Sequence, residues 1–508
     1  VRNENVILNP SSNKWFAFIG ITLLSFGCYL DYTIVNIALP TIQQELQTNL
    51  TSLQWVMNIY FLALCILATI MGRCGDLYGR RRCFYWGVII FIIASVIAGL
   101  ASNIGWLIFG RLIQGIGAAI VFPLGPSLLP ESFPVKERGK AIAWLGSTGG
   151  VALALGPVLG GVILTHWGWR WIFFINVPIA LIGFLFCYKS VKESVVVQIN
   201  SSLDWKGMLL LALTMGGIVL SLIHSQNSGW KDPITLGFLA TGFIACLCLI
   251  KVERNQKDPL IDINDFSNIL FYAGAVLCFL AGVLSAVALF FDPLYLQIIR
   301  GQSAQLSGLV LFIIPVAVFG VAFLVNGLIN YLGIVNTILF ALFIAAISGL
   351  LQIFFTSNTP LYYVALSFAC LGIMWAMGNT VSIIAAQTAV GSSRHSVATG
   401  TMVTMFNMGG SIGLAAAVVI YNFVTSQSLN TIFNAPQQVL NMAQYQVLKN
   451  LISNPAESLQ TSMSSGVHHF FNVAFMEGFA GTMFFLLILS SVFLASVLLW
   501  KIRVRFVK

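Results

Sequence analysis

Two charged residues stand inside long apolar runs and demand a chemical reason. Asp31 lies in "YLDYTIVNIALP", within a hydrophobic stretch that runs from near Trp15 to near Pro40, and Arg111 lies in "GRLIQGIGAA". An ionisable side chain at the centre of a membrane helix costs about 2.5–3.5 kcal/mol on insertion scales, so it persists when it is paired or lines a wet cavity. Arg111, Gln114, Gly115, Ala118 and Phe122 recur at helical spacing and form one stripe along a helix face. A polar and small stripe of that kind faces protein or water rather than lipid. Asp31 and Arg111 are open to two readings. One is a structural ion pair that fixes helix packing. The other is a carboxyl that exchanges a proton: burial and a nearby guanidinium act on it in opposite senses, so a change of surroundings moves the proton on or off. The second reading is favoured, because intramembrane charges mark ion and substrate pathways.

Other residues add to this pair. Asp292, in "LFFDPLYLQ", is either an interfacial helix-end residue before Pro293 or a second carboxylate in an outer cavity, placed to meet a cationic substrate. Trp55, Tyr60, Trp375 and Phe406 either line a cavity or anchor at the membrane interface, where Trp and Tyr collect. In "GGVALALGPVLGG", Gly149, Ala152, Gly156 and Gly160 share one face at the spacing that lets another helix approach closely. Pro157 removes a backbone donor and can bend that helix. This face is either ordinary tight packing or a hinge or seal between two halves of the molecule. "GRCGDLYGRRR" places four arginines and Asp76 in a very short turn; it is a topology anchor, a latch that breaks and re-forms, or both. No C-x-x-C pair occurs, and the adjacent His468 and His469 point to different sides of a helix. Neither a metal nor a redox cofactor is therefore expected.

These residues need a scaffold, and composition names it. The chain has 508 residues, 58% of them hydrophobic and 8% charged, against about 25% charged in soluble proteins. It is read as an all-α membrane protein with roughly 14 spans of about 20 residues. They fall near 15–39, 52–72, 83–101, 105–129, 140–165, 171–189, 205–223, 234–251, 269–292, 306–328, 333–354, 361–380, 399–424 and 475–500. The first run is too long for a cleavable signal and lacks a small-residue cleavage site, so it reads as a retained span. The net charge of +9 does not indicate nucleic acid, because the basic residues follow the spans and form no basic domain. Of the 25 Lys and Arg, all but Arg170, Lys231, Arg300, Lys449 and the intramembrane Arg111 fall in the N-tail, the even-numbered loops or the C-tail. That bias predicts both termini in the cytoplasm and an even number of spans.

Two pairs of segments suggest an internal repeat. Met71–Cys83 after span 2 parallels Asn326–Ile338 after span 10, with Gly327 and Gly333 in near-matching places. The segment from Arg138 parallels the one from Arg394. Repeats of this kind are the usual architecture of secondary transporters, with the binding site at the midplane between the halves. The organisation read from this is a cytoplasmic N-tail (1–14), a first six-helix bundle (15–190), an inserted pair of spans with flanking loops (191–266) and a second six-helix bundle (267–508). The second bundle carries the long outer loop 425–473. In that loop Val439, Leu440, Ala443, Val447, Leu448 and Leu451 have helical spacing, which predicts a helix on the outer membrane surface or across the outer mouth.

On these motifs the chain resembles the major facilitator superfamily, specifically its fourteen-span drug:proton antiporter branch, over nearly its whole length. "GRCGDLYGRRR" is similar to the family's loop motif between spans 2 and 3, supplying Gly72, Asp76, Gly79, Arg80 and Arg81. "RLIQGIGAA" resembles the span-4 motif, with Arg111, Gln114, Gly115 and Gly117. "GPVLGG" resembles the antiporter motif of span 5, with Gly156, Pro157, Gly160 and Gly161; Ala152 stands where the longer motif has Gly. "LDYTIVNIALP" resembles the first-span motif, with Asp31, Thr33, Asn36 and Pro40. Asp292 stands where the family usually has an apolar residue.

The resemblance implies the major facilitator fold, two pseudo-symmetric six-helix bundles plus two inserted helices. It implies export of amphipathic, often cationic small molecules in exchange for protons, in a bacterial inner membrane and with no cofactor beyond the proton gradient. Asp31 and Arg111 would couple the proton; Asn36, Gln114, Asp292 and Phe406 are candidate substrate contacts. The partners expected are the substrate, protons and membrane lipid, and the protein is either a monomer or engaged with a periplasmic adaptor and outer-membrane channel. The competing reading on the same fold is a dedicated exporter of one metabolite, such as a siderophore or an amino acid derivative. A membrane-embedded enzyme or a sensor is disfavoured, since no cluster of catalytic residues and no loop large enough for a signalling domain is visible.

Overall fold

The computed structural model describes residues 14–134, 137–191, 204–256, 259, 261–322, 324–390, 395–434, 442–455, 458 and 465–506. Among the described residues the chain is helical throughout, with no strand. Thirteen helices are long and apolar enough to cross a membrane. Span 5, Arg138–Trp167, is also one continuous helix, and its apolar stretch Leu155–Trp167 brings the spans to the fourteen that the sequence predicts.

The spans begin where polar side chains can satisfy the free backbone donors of a helix start. Asn49 caps span 2 (Leu50–Tyr78). Asn103 caps span 4 (Ile104–Leu128), and Asp204 caps span 7 (Trp205–Ser228). Asp232 accepts from the Ile234 and Thr235 amides at the start of span 8 (Pro233–Asn255), and Asn268 caps span 9 (Ile269–Leu294). Span 2 ends, and span 3 (Arg80–Gly99) begins, at Gly79 with φ of 100°. Span 11 (Ile334–Ile353) begins at Gly333 with φ of 80°. Both values lie in the region that only glycine enters freely. The two paralleled segments of the repeat thus turn on the same device.

Spans 1 (Lys14–Glu45), 2, 3, 4, 5 and 6 pack on one another, span 6 being two helical pieces, Arg170–Phe174 and Asn176–Ser190. Spans 9 to 14 form a second set: span 9 packs on span 12 (Leu361–Ala389) and span 13 (His395–Phe433), and span 11 packs on span 14 (Ser465–Phe506). The sets meet along two seams, span 2 on span 13 and span 5 on span 10 (Ala304–Leu311 and Ile313–Ala322). Spans 7 and 8 pack on each other, and span 7 also lies on the seam of spans 2 and 13. There Leu211, Met215, Val219 and Ile223 meet Leu62, Cys65 and Ala415. At the tip of span 7, Gln226 Oε1 accepts from Thr51 Oγ1 at 2.9 Å, Gln54 Nε2 at 3.3 Å and Asn422 Nδ2 at 3.1 Å. One amide of the inserted pair therefore ties both halves together.

The helix predicted in the outer loop is observed as Met442–Ser453, with Leu448, Leu451 and Ile452 buried; residues 435–441, where its predicted start falls, lie outside the described residues. Lys14 Nζ meets Glu137 Oε2 at 2.6 Å, which places the starts of spans 1 and 5 at the same end of the molecule.

Candidate functional site

Asp31 and Arg111 are brought together. Arg111 Nη1 lies 2.5 Å from Asp31 Oδ2, and both side chains are fully buried. Charges taken out of water are tolerated only when paired and hydrogen-bonded, and the surroundings bond both carboxylate oxygens and Nε and Nη1 of the guanidinium, while Nη2 has no hydrogen-bond partner among the described residues. Asp31 Oδ1 accepts from Gln114 Nε2 at 2.9 Å and from Asn176 Nδ2 at 2.8 Å. Arg111 Nη1 also donates to Gln114 Oε1 at 2.8 Å, and Arg111 Nε to the Val56 carbonyl at 3.0 Å. The guanidinium stacks over the Tyr60 ring, 4.3 Å from its centroid, a favourable geometry for a cation on a π face. Gln114 Nε2 further donates to Ser95 Oγ at 3.0 Å. The network thus draws on spans 1, 2, 3, 4 and 6, so the Asp31–Arg111 pair is tied to five helices.

The stripe read on span 4 faces inward as predicted: Arg111, Gln114, Gly115 and Ala118 are all buried. Gly115 lies against the Tyr60 backbone and Ala63, where an added Cβ would stand 2.8 Å from the Ala63 methyl. That close approach is what lets the arginine reach across to the span 2 carbonyl. Gln114 is engaged by Asp31, Ser95 and Arg111 together, and so stands with the ion pair rather than among cavity-lining groups. Asn36 directs its amide nitrogen back to the Tyr32 and Thr33 carbonyls of its own helix, at 3.1 and 3.0 Å.

Directly after Asp31 in span 1, Tyr32 is the hub of an aromatic cluster drawn from both halves. Its ring centroid lies 5.2 Å from Phe61, 6.5 Å from Tyr60, 6.3 Å from Trp375 and 6.5 Å from Phe406. Trp375 and Tyr60 are buried inside the protein, which removes the alternative that they anchor at the interface. On the same face of span 2 as Phe61, Asn58 is buried with neither amide atom hydrogen-bonded.

Asp292 requires a correction to its interfacial reading. The helix does not end before Pro293 but runs through it to Leu294 and continues as a π-turn, Tyr295–Ile299. Asp292 is fully buried and neither carboxylate oxygen has a hydrogen-bond partner. Just beyond it, Gln297 Nε2 donates to the Ile37 carbonyl of span 1 at 3.0 Å, a polar bond between the halves. π-Turns inside α-helices gather at functional sites.

The small-residue face of span 5 resolves into two interfaces. Gly149 and Gly160 lie against Tyr29 and Ile34 of span 1, with an added Cβ 2.9 Å from the Tyr29 ring and 3.0 Å from the Ile34 carbonyl. Gly156 lies against Thr33, and Ala152 is buried on the same stretch. This face is packing within the first bundle, not a seal between bundles. The contact between bundles is made by the adjacent positions: Gly161 approaches the Ala304 carbonyl, and the Pro157 carbonyl lies against Gly308 of span 10. In the loop motif, Gly72 packs on Pro123, Gly75 on Leu124, and Arg81 donates to Tyr85 Oη at 3.0 Å. The side chain of Asp76 lies outside the described residues. Asn176, Ser95, Tyr60 and Asn58 were not singled out for the site from the sequence, or, for Tyr60, not as a partner of Arg111. Isolated amides, hydroxyls and rings in apolar runs carry no spacing signal.

A buried charged network beside an aromatic cluster shared by two helical bundles defines a polytopic membrane transporter. Comparison with known proteins gives the family: residues 21–414 match the Major Facilitator Superfamily model, and the chain belongs to that superfamily. It is 32% identical over 394 residues to a multidrug resistance protein, Stp, of Mycobacterium tuberculosis, covering 77% of this chain and 72% of that protein. It is 30% identical over 375 residues to a riboflavin transporter, RibZ, of Clostridioides difficile, covering 73% of this chain and 81% of that protein. The fold matches a bacterial homologue of the human lysosomal transporter Spinster, in an inward-facing and unoccupied conformation, with a TM-score of 0.66 at 13% identity over 96% of this chain and 98% of that one.

Proposed function

We propose that this transporter exports amphipathic, chiefly cationic small molecules across a bacterial inner membrane in exchange for protons, by alternating access, with both termini in the cytoplasm. The observation that carries the reading is the buried Asp31–Arg111 pair, in contact with an aromatic cluster built by both halves. Ionised Asp31 accepts from three side chains. A proton on the carboxyl removes the charge that Arg111 faces and weakens the link between spans 1 and 4. The network then prefers a different arrangement, and the two bundles rock. Release of the proton toward the cytoplasm restores the pair. One charge crossing 100 mV is worth about 2.3 kcal/mol before any pH gradient is added, a sufficient driving force.

Tyr32, Phe61, Trp375 and Phe406 offer π faces to a flat or cationic substrate. Asp292 is the second acid: with no protein donor on either oxygen, it is available to a cationic group or a proton. The multidrug resistance relative supports this substrate class. The alternative, a dedicated exporter of one metabolite, has its own support in the riboflavin transporter relative. A ring cluster beside the unbonded Asn58 amide suits a planar heterocycle with hydrogen-bonding edges.

Transport in proteoliposomes separates these readings. A panel of dyes, antibiotics and metallophores is presented with and without an imposed pH gradient. Competition among unrelated cations that collapses with the gradient supports multidrug antiport. Uptake of one compound class without cross-competition supports the dedicated exporter, and transport indifferent to the gradient refutes proton coupling.

A further inference from the structure

Two buried side chains, one from each half, end in oxygens that carry no hydrogen bond. Asp292 of span 9 is fully buried, and neither carboxylate oxygen has a partner among the described residues. Asn36 of span 1 is 1% exposed, and its Oδ1 is likewise without a partner among them. Asn36 Nδ2 is tied to the Tyr32 and Thr33 carbonyls, which fixes the amide with its oxygen turned away from its own helix. Helix geometry puts the two groups on one path. Asn36 follows Tyr32 by one turn on the same face of span 1, and the Tyr32 side chain approaches Ser285 of span 9. Asp292 follows Ser285 by two turns, again on one face. Spans 1 and 9 pack together and are joined further along by the Gln297–Ile37 bond. Beyond the Tyr32 ring cluster the halves therefore present acceptor oxygens from Asn36 and Asp292. The cations on the flanking segments are engaged elsewhere: Arg300 with the Thr359 carbonyl and the Tyr295 hydroxyl, and Arg111 with Asp31.

We propose that Asp292 and Asn36 Oδ1 seat a protonated primary or secondary amine, carried on a short chain by a ring system that lies against Tyr32, Phe61, Trp375 and Phe406. The inference rests on the export reading and narrows its substrate class, from cations in general to ammonium groups that bear N–H. Donor count decides the class. A buried carboxylate needs an opposite charge and donors, and a buried amide oxygen needs a donor. A primary ammonium supplies the charge and three donors at once. A quaternary ammonium supplies the charge alone. Its favoured seat is an aromatic face, and beside these oxygens it would leave Asn36 Oδ1 unbonded. The chain is short because one helical turn, about 6 Å, separates Tyr32 from Asn36.

The probe is dansylcadaverine, a fluorescent ring system joined by a short chain to a primary amine. Its N,N,N-trimethyl derivative keeps the charge and loses the N–H groups, and its N-acetyl derivative loses the charge. Binding of the three to the purified full-length protein in detergent is read from dansyl fluorescence. A buried acceptor left unbonded costs a large factor in affinity, so the amine should bind roughly tenfold tighter than either derivative. This comparison needs no variant, so folding does not enter it. Asn36→Ala should bring the amine down toward the trimethyl probe, and Asp292→Asn should erase its preference over the acetyl probe. A trimethyl probe that binds as tightly as the amine puts the charge on the ring faces and overturns the proposal. Equal binding of the amine and acetyl probes means that Asp292 meets no cation and overturns it too, as does a preference that survives both substitutions. The export reading fails separately. If the preference persists while proteoliposomes export none of the probes, export is refuted and the amine seat stands.

Discussion

The ion pair can be dissected so that its structural and transport roles part company. Asp31→Asn keeps the shape of the side chain but removes its charge and leaves the Arg111 guanidinium uncompensated in a fully buried site. Breaking a buried pair from one side costs about 3–5 kcal/mol. Here the low end applies, because Arg111 keeps the Val56 carbonyl, Gln114 Oε1 and the Tyr60 ring. A loss of about 3 kcal/mol is expected. Arg111→Leu strands Asp31 with two amide donors, Gln114 and Asn176, and falls in the same range. The double variant carries no buried charge, and replacement of both partners by neutral groups is often close to neutral. It should therefore lose little, and with two single losses of about 3 kcal/mol each the coupling energy is about 5 kcal/mol, above the roughly 0.5–3 kcal/mol usual for residues in contact. Melting curves of the four proteins in one detergent measure this cycle. The same four are then reconstituted with an imposed pH gradient. The double variant should be nearly as stable as the parent yet unable to concentrate substrate against that gradient. If it transports as the parent does, the pair is only structural and the coupling mechanism is refuted. If the two single losses simply add, the charges do not compensate each other and the energetic argument fails.

Other perturbations test other parts of the molecule. Gly156→Ala should cost about 1–3 kcal/mol by overpacking, since the new methyl meets Thr33 and, at 3.2 Å, the Ile34 backbone nitrogen; Gly320→Ala, with nothing within 4 Å, should be silent in the same melting assay. Gln226→Leu removes the acceptor shared by Thr51, Gln54 and Asn422. It should change transport rate more than substrate affinity, read as a kcat change at near-constant KM. Trp375→Ala and Phe406→Ala should weaken dye binding, measured by fluorescence titration, while the Asp31-dependent pH response persists. Asp232 is held below the usual carboxylate range, first by the Thr235 amide and then by Ile234 and His224. A lowered folded-state pKa means its stabilisation is present at neutral pH and fades as pH falls through that range. Asp232→Ala should therefore lower the melting temperature at pH 7 and match the parent in strong acid.

How far the sequence could be read depends on what each residue advertises. The spans were legible because apolar length is a local property, fixed by the thickness of hydrocarbon a helix must cross. Asp31 and Arg111 were legible for the converse reason: a charge in such a run is anomalous by itself. Asn176 was not, although its amide completes the Asp31 shell at 2.8 Å. An asparagine near a membrane boundary is unremarkable until the fold of span 6 aims it inward. The glycine face of span 5 was legible as a close-packing surface but not in its partner. Spacing specifies that a helix comes near, and only the three-dimensional arrangement decides that it is span 1, with span 10 left to Gly161 and Pro157.

Asp292 shows the same limit from the other direction. Proline after an acid at the end of an apolar run predicts a helix end, since proline disfavours helical backbone in the residue before it. The chain instead carries the helix through Pro293 into the Tyr295–Ile299 π-turn, and that extension draws the carboxyl from the interface into the core. The turn then places Gln297 against the Ile37 carbonyl, on the same first span that holds Asp31. The two buried acids are thus linked through one helix, Asp31 upon it and Asp292 one turn before its partner. If the bundles separate at this end during transport, the Gln297 bond must break, and Asp292 gains access to whatever enters. Gln297→Leu would remove the bond while leaving both acids in place. It should speed opening at that end, raising labelling of a cysteine introduced at the buried Ser307 of span 10 by an impermeant maleimide from the side opposite the N-terminus. Unchanged labelling would mean that the Gln297 bond does not hold that end closed.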